Sequence, residues 1–285
     1  MNSYKIFDAH CDTLCCLCDS GGTIAENTYN IDKKRMLEYV KYTQVFACFI
    51  APRFYDDPKA RFDALYKTYL AQDFAGITPV LSLEGGEVID SLEDLEYLKE
   101  CGVRCIALTW NNSNKIASGV LDIDTGLTEF GKNVVRRMEE LGILVDVSHL
   151  SDRAFYDVAR ITTKPFIATH SNSRSVCNHP RNLTDDMFKL ICDSGGCVGI
   201  NLYPKFLTEK EFTSSVDVLR HIEHFMTLGG IDSIGIGADF DGTDNQLPFD
   251  ITGCQGLHRI LDMIHQDDCR EKISYKNFLR VFGEE

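Results

Sequence analysis

The chain has 285 residues, 44% of them hydrophobic, and a formal net charge of −14 at pH 7. This length is close to the roughly 250 residues of a typical α/β barrel, and the hydrophobic fraction is enough for a closed core. The acidic balance, which no cluster of Lys or Arg offsets, argues against nonspecific binding to nucleic acid or to an anionic membrane surface.

Short apolar runs alternate with segments of helical spacing along the whole chain. Such an alternation predicts a parallel sheet covered by helices, and about eight runs predict an α/β fold of the (β/α)8 TIM-barrel type. We expect strands near residues 4–10, 44–50, 78–84, 103–109, 143–148, 165–170, 196–202 and 233–238.

Two of the intervening segments show the helical pattern well. Thr128 and Glu129 open one helix and Gly142 closes it, because Thr caps helix N-termini and Gly follows helix C-termini. A second helix is expected before the third strand, where apolar residues recur at three- and four-residue spacing: Phe62, Leu65, Tyr66, Tyr69, Leu70 and Phe74. The longest loops are expected at 21–31, 111–127 and 203–215.

No linker or internal repeat divides the chain, so we expect one catalytic domain over residues 1–285. The N-terminal residues lack the pattern of a signal peptide, and no apolar stretch reaches 18 residues, so we expect a cytoplasmic protein without membrane insertion. The twelve cysteines occur singly in apolar runs or in the group Cys15, Cys16 and Cys18, which favours reduced thiols over disulfides.

Residues that commonly bind metal ions stand at the ends of five predicted strands or runs. Period-two geometry places His10 and Asp12 on one face of the first strand end, where an imidazole and a carboxylate can share a cation. A single His or Asp at a strand end is usually structural, but several in register at the C-terminal ends of barrel strands indicate a metal-dependent hydrolase. The candidates are His10, Asp12, Glu84, His149 and His170, with Asp239 after a further run.

Five motifs follow one another along the chain: DAHCDT at 8–13, SLEGGE at 82–87, DVSHLS at 146–151, THSNSRSVCNHPRNL at 169–183 and GADFDGT at 237–243. Their order and spacing resemble the membrane (renal) dipeptidase family, peptidase family M19 of the amidohydrolase superfamily. The resemblance covers nearly the whole chain. It implies a binuclear zinc barrel that hydrolyses dipeptides, some with a C-terminal D-residue, by attack of a metal-bridging hydroxide.

The resemblance also implies roles for individual residues. His10 and Asp12 would bind one Zn²⁺, His149 and His170 the other, and Glu84 would bridge the two ions. Asp239 would take a proton from the bridging water and pass it to the leaving amine. We expect the neighbouring Asp241 and Asp244 to cap or order the loop that follows instead.

For the substrate, the resemblance implies that Arg181 binds the free C-terminal carboxylate of a small dipeptide, for which a planar guanidinium offers paired hydrogen bonds. Tyr203 would line the substrate pocket, although a purely structural aromatic side chain is nearly as good an interpretation. Family members often form pairs, so the resemblance suggests a homodimer, and the sequence leaves the oligomeric state open.

The chain departs from the animal family members at Trp110, where they carry a histidine that polarises the scissile carbonyl. An indole has one N–H donor and cannot carry a proton, so carbonyl polarisation falls to a weaker Trp110 hydrogen bond or to zinc with Asn111 or Asn112. Two alternatives stay open, namely another amidohydrolase reaction on a lactam, lactone or deamination substrate, and a non-catalytic metal-binding barrel. The remaining histidines are expected on the surface, on helices or in loops, with His179 near the substrate as an alternative: His179, His221, His224, His258 and His265.

Overall fold

The structure is a computed structural model that describes residues 2–283. Within these residues, seven parallel strands form one sheet in the order β5-β4-β3-β2-β1-β7-β6. The strands are β1 (Asn2–Cys11), β2 (Tyr39–Phe49), β3 (Thr78–Glu84), β4 (Val103–Ala107), β5 (Leu144–Asp146), β6 (Val198–Ile200) and β7 (Ile234–Ile236).

The segment 165–170, called the closing segment below, joins the two outer strands of the sheet into a barrel. Asp146 of β5 forms a parallel bridge with Ile167, and Ala168 forms one with Val198 of β6. The backbone N–H of Ala168 donates to Cys197 O at 3.1 Å, and that of Gly199 donates back to Ala168 O at 2.8 Å. The predicted TIM-barrel fold is therefore confirmed, with the expected strand at 165–170 reduced to short bridges.

Two glycines allow the closing segment to lie so close to its neighbours. A Cβ atom at position 199 would lie 2.0 Å from the carbonyl oxygen of Thr169, and one at position 237 would lie 1.8 Å from it. Both distances are far below van der Waals contact, so a side chain at either position would push Thr169 away. The glycines thus hold the backbone of Thr169 in a narrow slot.

Helices cover the outside of the barrel and follow the strands in chain order, as a parallel sheet requires. They are α1 (Thr13–Ser20), α2 (Lys33–Met36), α3 (Pro58–Leu70), α4 (Glu93–Glu100), α5 (Glu129–Leu141), α6 (Asp152–Ile161), α7 (Asp185–Asp193), α8 (Pro204–Leu207), α9 (Ser215–Thr227), α10 (His258–Asp262), α11 (Asp267–Glu271) and α12 (Asn277–Phe282), with a π-helical turn at Lys272–Lys276 between the last two. Short 3-10 turns lie at Pro52–Phe54, Gly86–Val88, Ile231–Ser233 and Cys254–Leu257.

The buried apolar side chains form two clusters. The larger one fills the layer between the sheet and the helices, where strand residues such as Phe46 and Leu81 meet helix residues such as Phe62 and Met138. The smaller one lies inside the barrel, and α12 packs against it. Its members are Phe7, Ala9, Val45, Val80, Cys105, Ile167, Cys197, Tyr275, Phe278 and Phe282. The barrel interior is thus filled near the beginnings of the strands, which leaves their C-terminal ends for a site.

Several local predictions can be compared with the structure. Helix α3 ends at Leu70, whose side chain is 64% exposed, so the predicted apolar stripe is wrong at this residue and Phe74 lies beyond the helix. The loop predicted at 203–215 contains the short helix α8. All twelve cysteines are free thiols, as predicted. In the part of the chain that the structure describes, the helices are all too short or too polar to span a bilayer.

Helix α5 has both predicted caps. The Thr128 side chain accepts a hydrogen bond from the N–H of Gly131 at 2.9 Å, and Gly142 adopts a left-handed φ of 68° at the C-terminus. We expect Thr128→Ala to lower the free energy of unfolding by about 1 kcal/mol, because an N–H group of the first turn loses its acceptor. For a chain of this size that corresponds to a melting temperature about 2 °C lower. Calorimetry of Thr128→Ala beside Thr128→Ser, which keeps the hydroxyl, checks this, and equal melting temperatures would contradict it.

Candidate active site

The candidate ligands gather at the C-terminal ends of the barrel strands. His10 lies near the end of β1, Asp12 directly follows that strand, and Glu84 is the last residue of β3. His149 and His170 come shortly after β5 and after the bridges of the closing segment. The barrel topology therefore brings together residues that are up to 160 positions apart in the chain (170 − 10 = 160).

A bulge in β1 directs His10 toward the barrel interior. Asp8 pairs with Gln44 and Cys11 pairs with Phe46, so three steps along β1 run against two along β2. An extra residue of this kind shifts the alternation of side chains and commonly re-aims a residue beside an active site. Cys11 then packs in the outer cluster together with Phe46, whereas His10 points to the opposite side, toward Glu84.

Glu84 lies at the centre of the cluster and faces imidazoles with both of its carboxylate oxygens. His10 Nε2 lies 3.2 Å from Glu84 Oε2, and His149 Nε2 lies 2.9 Å from Glu84 Oε1. His170 Nε2 is 3.9 Å from the same Oε1 and 2.8 Å from His149 Nε2. One carboxylate therefore serves two groups of nitrogen and oxygen atoms, which is the arrangement that a bridging ligand needs.

Three overlapping groups of side chains place one atom of each member within 4.8 Å of the others. They are His10, Asp12 and Glu84 (the first ligand group below), Glu84, His149 and His170 (the second ligand group), and His10, His170 and Asp239. All members except Asp239 are buried. The five predicted metal ligands are thus brought together by the fold, and Asp239 joins them.

The donor atoms fit a divalent metal ion. Imidazole nitrogen and carboxylate oxygen are the ligands that zinc accepts, and three protein ligands are typical where a coordination position stays open for water. Asp12 Oδ1 is buried and has no hydrogen-bond partner among the residues that the structure describes, and His10 Nε2, although it lies 3.2 Å from Glu84 Oε2, makes no hydrogen bond with good geometry. Buried polar atoms rarely lack partners, so the two atoms need a cation or solvent to satisfy them.

The charges of the cluster shift the pKa values of its members in opposite directions. Burial lowers the pKa of His10, but the carboxylates of Glu84, Asp12 and Asp239 outweigh it and raise this pKa to about 10. Burial alone would raise the pKa of Glu84, yet His10 and His149 hold it well below its usual range. The cluster therefore strongly favours positive charge at its centre, which is the electrostatic condition for binding cations.

His149 and His170 have the opposite tendency. Burial and the Arg181 charge lower the pKa of His149 to about 4, and burial with the neighbouring His10 lowers that of His170 well below its usual value. Both imidazoles are therefore neutral at pH 7, and a neutral ring nitrogen is the form that binds a metal ion.

Two residues of the site have left-handed backbone conformations. His149 has a φ of 71° and Asp239 a φ of 60°, a region that residues with a side chain adopt at a cost. Each lies three residues beyond the end of a strand, β5 for His149 and β7 for Asp239, where the chain turns away from the sheet.

Asp239 lies beside the first ligand group. Its Oδ1 is 3.9 Å from His10 Nε2, and its Oδ2 accepts a hydrogen bond from Asn201 Nδ2 at 2.9 Å. Burial raises the pKa of Asp239 to about 6, with Glu84 adding to the shift and His10, Asn201 and Arg181 opposing it. A carboxylate with a pKa near neutrality can both take and release a proton under physiological conditions.

Arg181 is the cationic member of the site. Its side chain is only 6% exposed, its Nη2 donates to His170 O at 3.3 Å, and its Nε is buried without a hydrogen-bond partner. Within residues 2–283 it has no carboxylate within 4 Å. Burial lowers its pKa to about 10, so the guanidinium is still charged at pH 7. Arg181 and His149 both line one small cavity, so the guanidinium lies close to the second ligand group.

Aromatic side chains flank the site on two sides. The Trp110 ring lies 6.3 Å from that of His149 and 5.5 Å from that of Phe49, which places Trp110 next to the second ligand group. Tyr203 contacts Phe206 edge to face at 4.8 Å, and the Arg181 guanidinium lies 5.4 Å from the centre of the same Phe206 ring. The Phe206 ring therefore lies between Tyr203 and Arg181. The role of Tyr203 in the substrate pocket stays a prediction.

Some of the residues that shape the site were not predicted. Asn201 orients Asp239, and Asp8, which is fully buried, accepts hydrogen bonds from Ala238 N at 2.9 Å and His10 N at 3.4 Å. Asp8 thereby ties the ends of β1 and β7 together. The motif DAHCDT contains Asp8, but its function as a tie depends on which strand lies beside β1, and the sequence alone does not show this.

Asp241 and two further histidines lie close to the site or in the core around it. Asp241 accepts from Asn30 N at 2.7 Å and from the Thr13 hydroxyl at 2.5 Å, so it fixes the loop 21–31 and the start of α1 rather than the loop that follows it, and the prediction for this residue is wrong in its partner. His221, on helix α9, is buried. Its Nδ1 accepts a hydrogen bond from Ser173 N at 3.0 Å, and its Nε2 donates one to Leu207 O at 2.9 Å. His179 packs on Phe206 at 4.6 Å, close to Arg181, where a contribution to substrate binding stays open.

A parallel α/β barrel with a buried cluster of His, Asp and Glu at its C-terminal face is typical of metal-dependent hydrolases. A family model described as membrane dipeptidase, peptidase family M19, matches residues 62–285. The chain therefore belongs to the M19 membrane dipeptidase family of metallo-dipeptidases. The matched region contains Glu84, His149, His170 and Asp239, and the strand that carries His10 and Asp12 precedes it.

Similar sequences come from bacteria and fungi. The uncharacterized protein in the pqqA 5′ region of Klebsiella pneumoniae is 34% identical over 218 residues, which are 71% of this chain and 80% of that protein. An uncharacterized dipeptidase of Schizosaccharomyces pombe is 32% identical over 196 residues, which are 66% of this chain and 46% of that protein. The chain spans about half the length of the fission yeast relatives that it matches.

Solved structures have the same fold over nearly the whole chain. The dipeptidase AC, a metallopeptidase of family M19, is 25% identical with a TM-score of 0.89 and covers 99% of this chain and 98% of its own. A metallopeptidase from Rhodobacter sphaeroides, crystallised with a phosphinate mimic of the dipeptide L-Ala-D-Ala, is 24% identical with a TM-score of 0.87 and 99% coverage of both chains. The similarity to the Rhodobacter sphaeroides structure shows that the two proteins share a fold.

Proposed function

We propose that this protein is a zinc-dependent dipeptidase with two metal ions, which hydrolyses dipeptides that have a free C-terminal carboxylate, including dipeptides with a C-terminal D-residue. The observation that carries the proposal is the buried, unpaired guanidinium of Arg181 beside the second ligand group. The relative from Rhodobacter sphaeroides, solved with a mimic of L-Ala-D-Ala, supports the choice of substrate class.

The position of Arg181 favours a small anionic substrate. A buried charge without a partner is costly, so the site gains most from a ligand that brings a carboxylate to this place. A planar guanidinium binds a carboxylate through two parallel hydrogen bonds, and the free Nε–H is available for one of them. A site that binds the free C-terminal carboxylate close to the ligand groups would favour dipeptides over proteins.

Each of the two ligand groups would hold one metal ion. His10 and Asp12 would hold one ion, His149 and His170 the other, and Glu84 both, since each of its oxygens faces a different imidazole. Bound divalent ions supply a Lewis acid for the carbonyl group and lower the pKa of a water molecule toward neutrality.

Asp239 is placed to move a proton during hydrolysis. Its Oδ1 faces the first ligand group and Asn201 fixes its other oxygen, so the carboxylate cannot turn away. In its ionised form Asp239 accepts a proton from the attacking water, and in its protonated form it donates that proton to the departing nitrogen. Breaking the peptide bond releases two free amino acids.

We expect Asp239→Asn to lower kcat by about 10²- to 10⁴-fold, because an amide cannot take up the proton. In the unchanged protein the active form is the ionised carboxylate, which predominates above its pKa. Activity should therefore fall as the pH drops through the pKa of Asp239, which is about 6 without metal ions and lower when cations are bound beside it. A pH–rate profile checks both points, and an acidic limb that persists in Asp239→Asn would contradict the assignment.

The experiment that tests the proposal is amino-acid release from a panel of dipeptides, L-Ala-D-Ala included, by the zinc-loaded protein. The same peptides with amidated C-termini serve as matched controls. We expect cleavage of the free acids and little or no cleavage of the amides. Equal cleavage of both sets would contradict recognition by Arg181, and cleavage of neither would point to another amidohydrolase substrate or to a barrel without turnover.

A further inference from the structure

We propose that Asn111 and the pair Asp146–Thr169 are positioning residues that determine which ring nitrogen His149 and His170 present to the metal ion. This inference deepens the proposed function and rests on it. It concerns the second ligand group, whose two imidazoles each have a ring nitrogen on the far side from Glu84. Neither Asn111 nor the pair is a metal ligand in the assignment above.

The partner of His149 is the side chain of Asn111. His149 Nδ1 lies 2.8 Å from Asn111 Oδ1, which is an amide oxygen and can only accept. The hydrogen must therefore be on His149 Nδ1. Because a neutral imidazole carries one N–H, His149 Nε2 then has a free lone pair, and this atom faces Glu84.

The partner of His170 is a hydroxyl group whose own direction is set by a carboxylate. The Thr169 hydroxyl lies 2.5 Å from Asp146 Oδ2 and 2.8 Å from His170 Nδ1. It has one hydrogen, and the carboxylate can only accept it, so the hydroxyl oxygen must accept from His170 Nδ1–H. His170 Nε2 is then the free lone pair. The chain of contacts runs from Asp146 through Thr169 to His170.

Further hydrogen bonds fix the positions of Asp146 and Thr169. Asp146 is 2% exposed, and its Oδ1 accepts from Ser148 N at 2.9 Å and from Thr169 N at 3.0 Å. The backbone N–H and the hydroxyl of Thr169 thus both bind the carboxylate of Asp146, which keeps the hydroxyl beside His170.

Three neighbouring acceptor atoms therefore face one another without a hydrogen between them, and a cation would satisfy them. His149 Nε2 and His170 Nε2 lie 2.8 Å apart, and Glu84 Oε1 lies 2.9 Å from the former. With both hydrogens held on the Nδ1 atoms, these three atoms are all acceptors and have no proton between them. A metal ion at their centre would satisfy all three, whereas the opposite tautomer of either ring would replace a ligand by an N–H group.

The test uses removal and conservative variants of both residues. Thr169→Val and Asn111→Leu remove the acceptors at nearly constant shape, while Thr169→Ser and Asn111→Asp retain them. Outer partners of metal-binding histidines are typically worth 10- to 100-fold in metal affinity. We expect each removal variant to release one of two bound zinc ions roughly 10- to 100-fold faster to a chelator, with the other ion unaffected, and each conservative variant to restore the release rate toward that of the unchanged protein.

A second measurement reads the tautomers directly. Long-range ¹H–¹⁵N correlation spectra of the protein after chelation distinguish Nδ1–H from Nε2–H imidazoles. We expect the Nδ1–H form for His149 and His170, and a mixture for His149 in Asn111→Leu and for His170 in Thr169→Val. Unchanged spectra together with unchanged zinc release in the removal variants would overturn the inference.

These two readouts separate this inference from the proposed function. A protein that binds two zinc ions but cleaves no dipeptide would contradict the proposed function, and the tautomers and release rates would still decide the inference. A purely structural role for Thr169 or Asn111 would lower the melting temperature without changing either readout, which would also overturn the inference.

Discussion

Replacing Glu84 by Gln should abolish dipeptide hydrolysis and remove most of the bound metal. The amide has the same shape but no charge, and it offers one acceptor oxygen where the carboxylate offers two, each beside a different imidazole. Because outer partners alone contribute 10- to 100-fold to metal affinity, loss of a shared ligand should cost more than about a hundredfold at both ligand groups. Metal content after dialysis and kcat/KM for a dipeptide measure the effect.

Glu87→Gln provides a matched control. Glu87 lies three residues after Glu84 in the same motif and is largely buried, but it belongs to none of the three groups of candidate ligands. This variant should keep both metal ions. If Glu84→Gln retained two tightly bound ions while Glu87→Gln lost them, the assignment of Glu84 as the shared ligand would be wrong.

Replacing Arg181 by Met should weaken the hydrolysis of free dipeptides selectively. Truncating one partner of a buried, hydrogen-bonded charge pair costs about 2–5 kcal/mol, which corresponds to roughly 30- to 4,000-fold in kcat/KM. We expect most of this loss in KM, since the carboxylate is held before and during the reaction. The slow cleavage of C-terminally amidated peptides should not change, because they have no carboxylate to bind.

The melting temperature gives an independent check on Arg181. The substitution removes a buried charge that has no carboxylate within 4 Å, so we expect Arg181→Met to leave the melting temperature unchanged or to raise it, as at other sites where function is kept at the expense of stability. Arg160→Ala, which removes an arginine whose side chain is 69% exposed, should leave both kinetics and melting temperature unchanged. An unchanged kcat/KM for free acids in Arg181→Met would refute the assignment.

The fold and the candidate ligands were predictable because they depend on regular patterns. The alternation of strands and helices predicts the parallel barrel, and polar residues at strand ends predict where the site lies. Helix α5 was predicted to the residue, since Thr128 and Gly142 are strong local signals. The five candidate metal ligands and Asp239 meet as expected because every parallel strand of a barrel ends at the same face.

Other features depend on contacts that sequence patterns do not contain. The bulge between Asp8 and Cys11 arises from the pairing of β1 with β2, and the sequence of β1 alone predicts an unbroken strand. The close approach of the Thr169 carbonyl to Gly199 and Gly237 is likewise a contact between distant parts of the chain, which no local pattern contains. The partners of His149 and His170 escaped prediction for the same reason. Asn111 was considered for another function, and Thr169 resembles an ordinary strand residue.

Several predictions concern properties of the whole protein. A single catalytic domain over residues 1–285, a cytoplasmic location and a homodimer stay predictions. The effect of Trp110 in place of the histidine of the animal family members also stays a prediction. The Trp110 ring lies beside those of His149 and Phe49, so we expect a substitution here to affect the second ligand group rather than the fold.

The most direct test of a metal-dependent dipeptidase is a titration of the chelated protein with zinc while the release of amino acids from a free-acid dipeptide is followed. We predict that hydrolysis appears as zinc is added and reaches its maximum at two equivalents per chain, in line with two ligand groups that share Glu84. Binding of two zinc ions without hydrolysis of any free dipeptide would contradict this account and would favour a metal-binding barrel that does not turn over substrate.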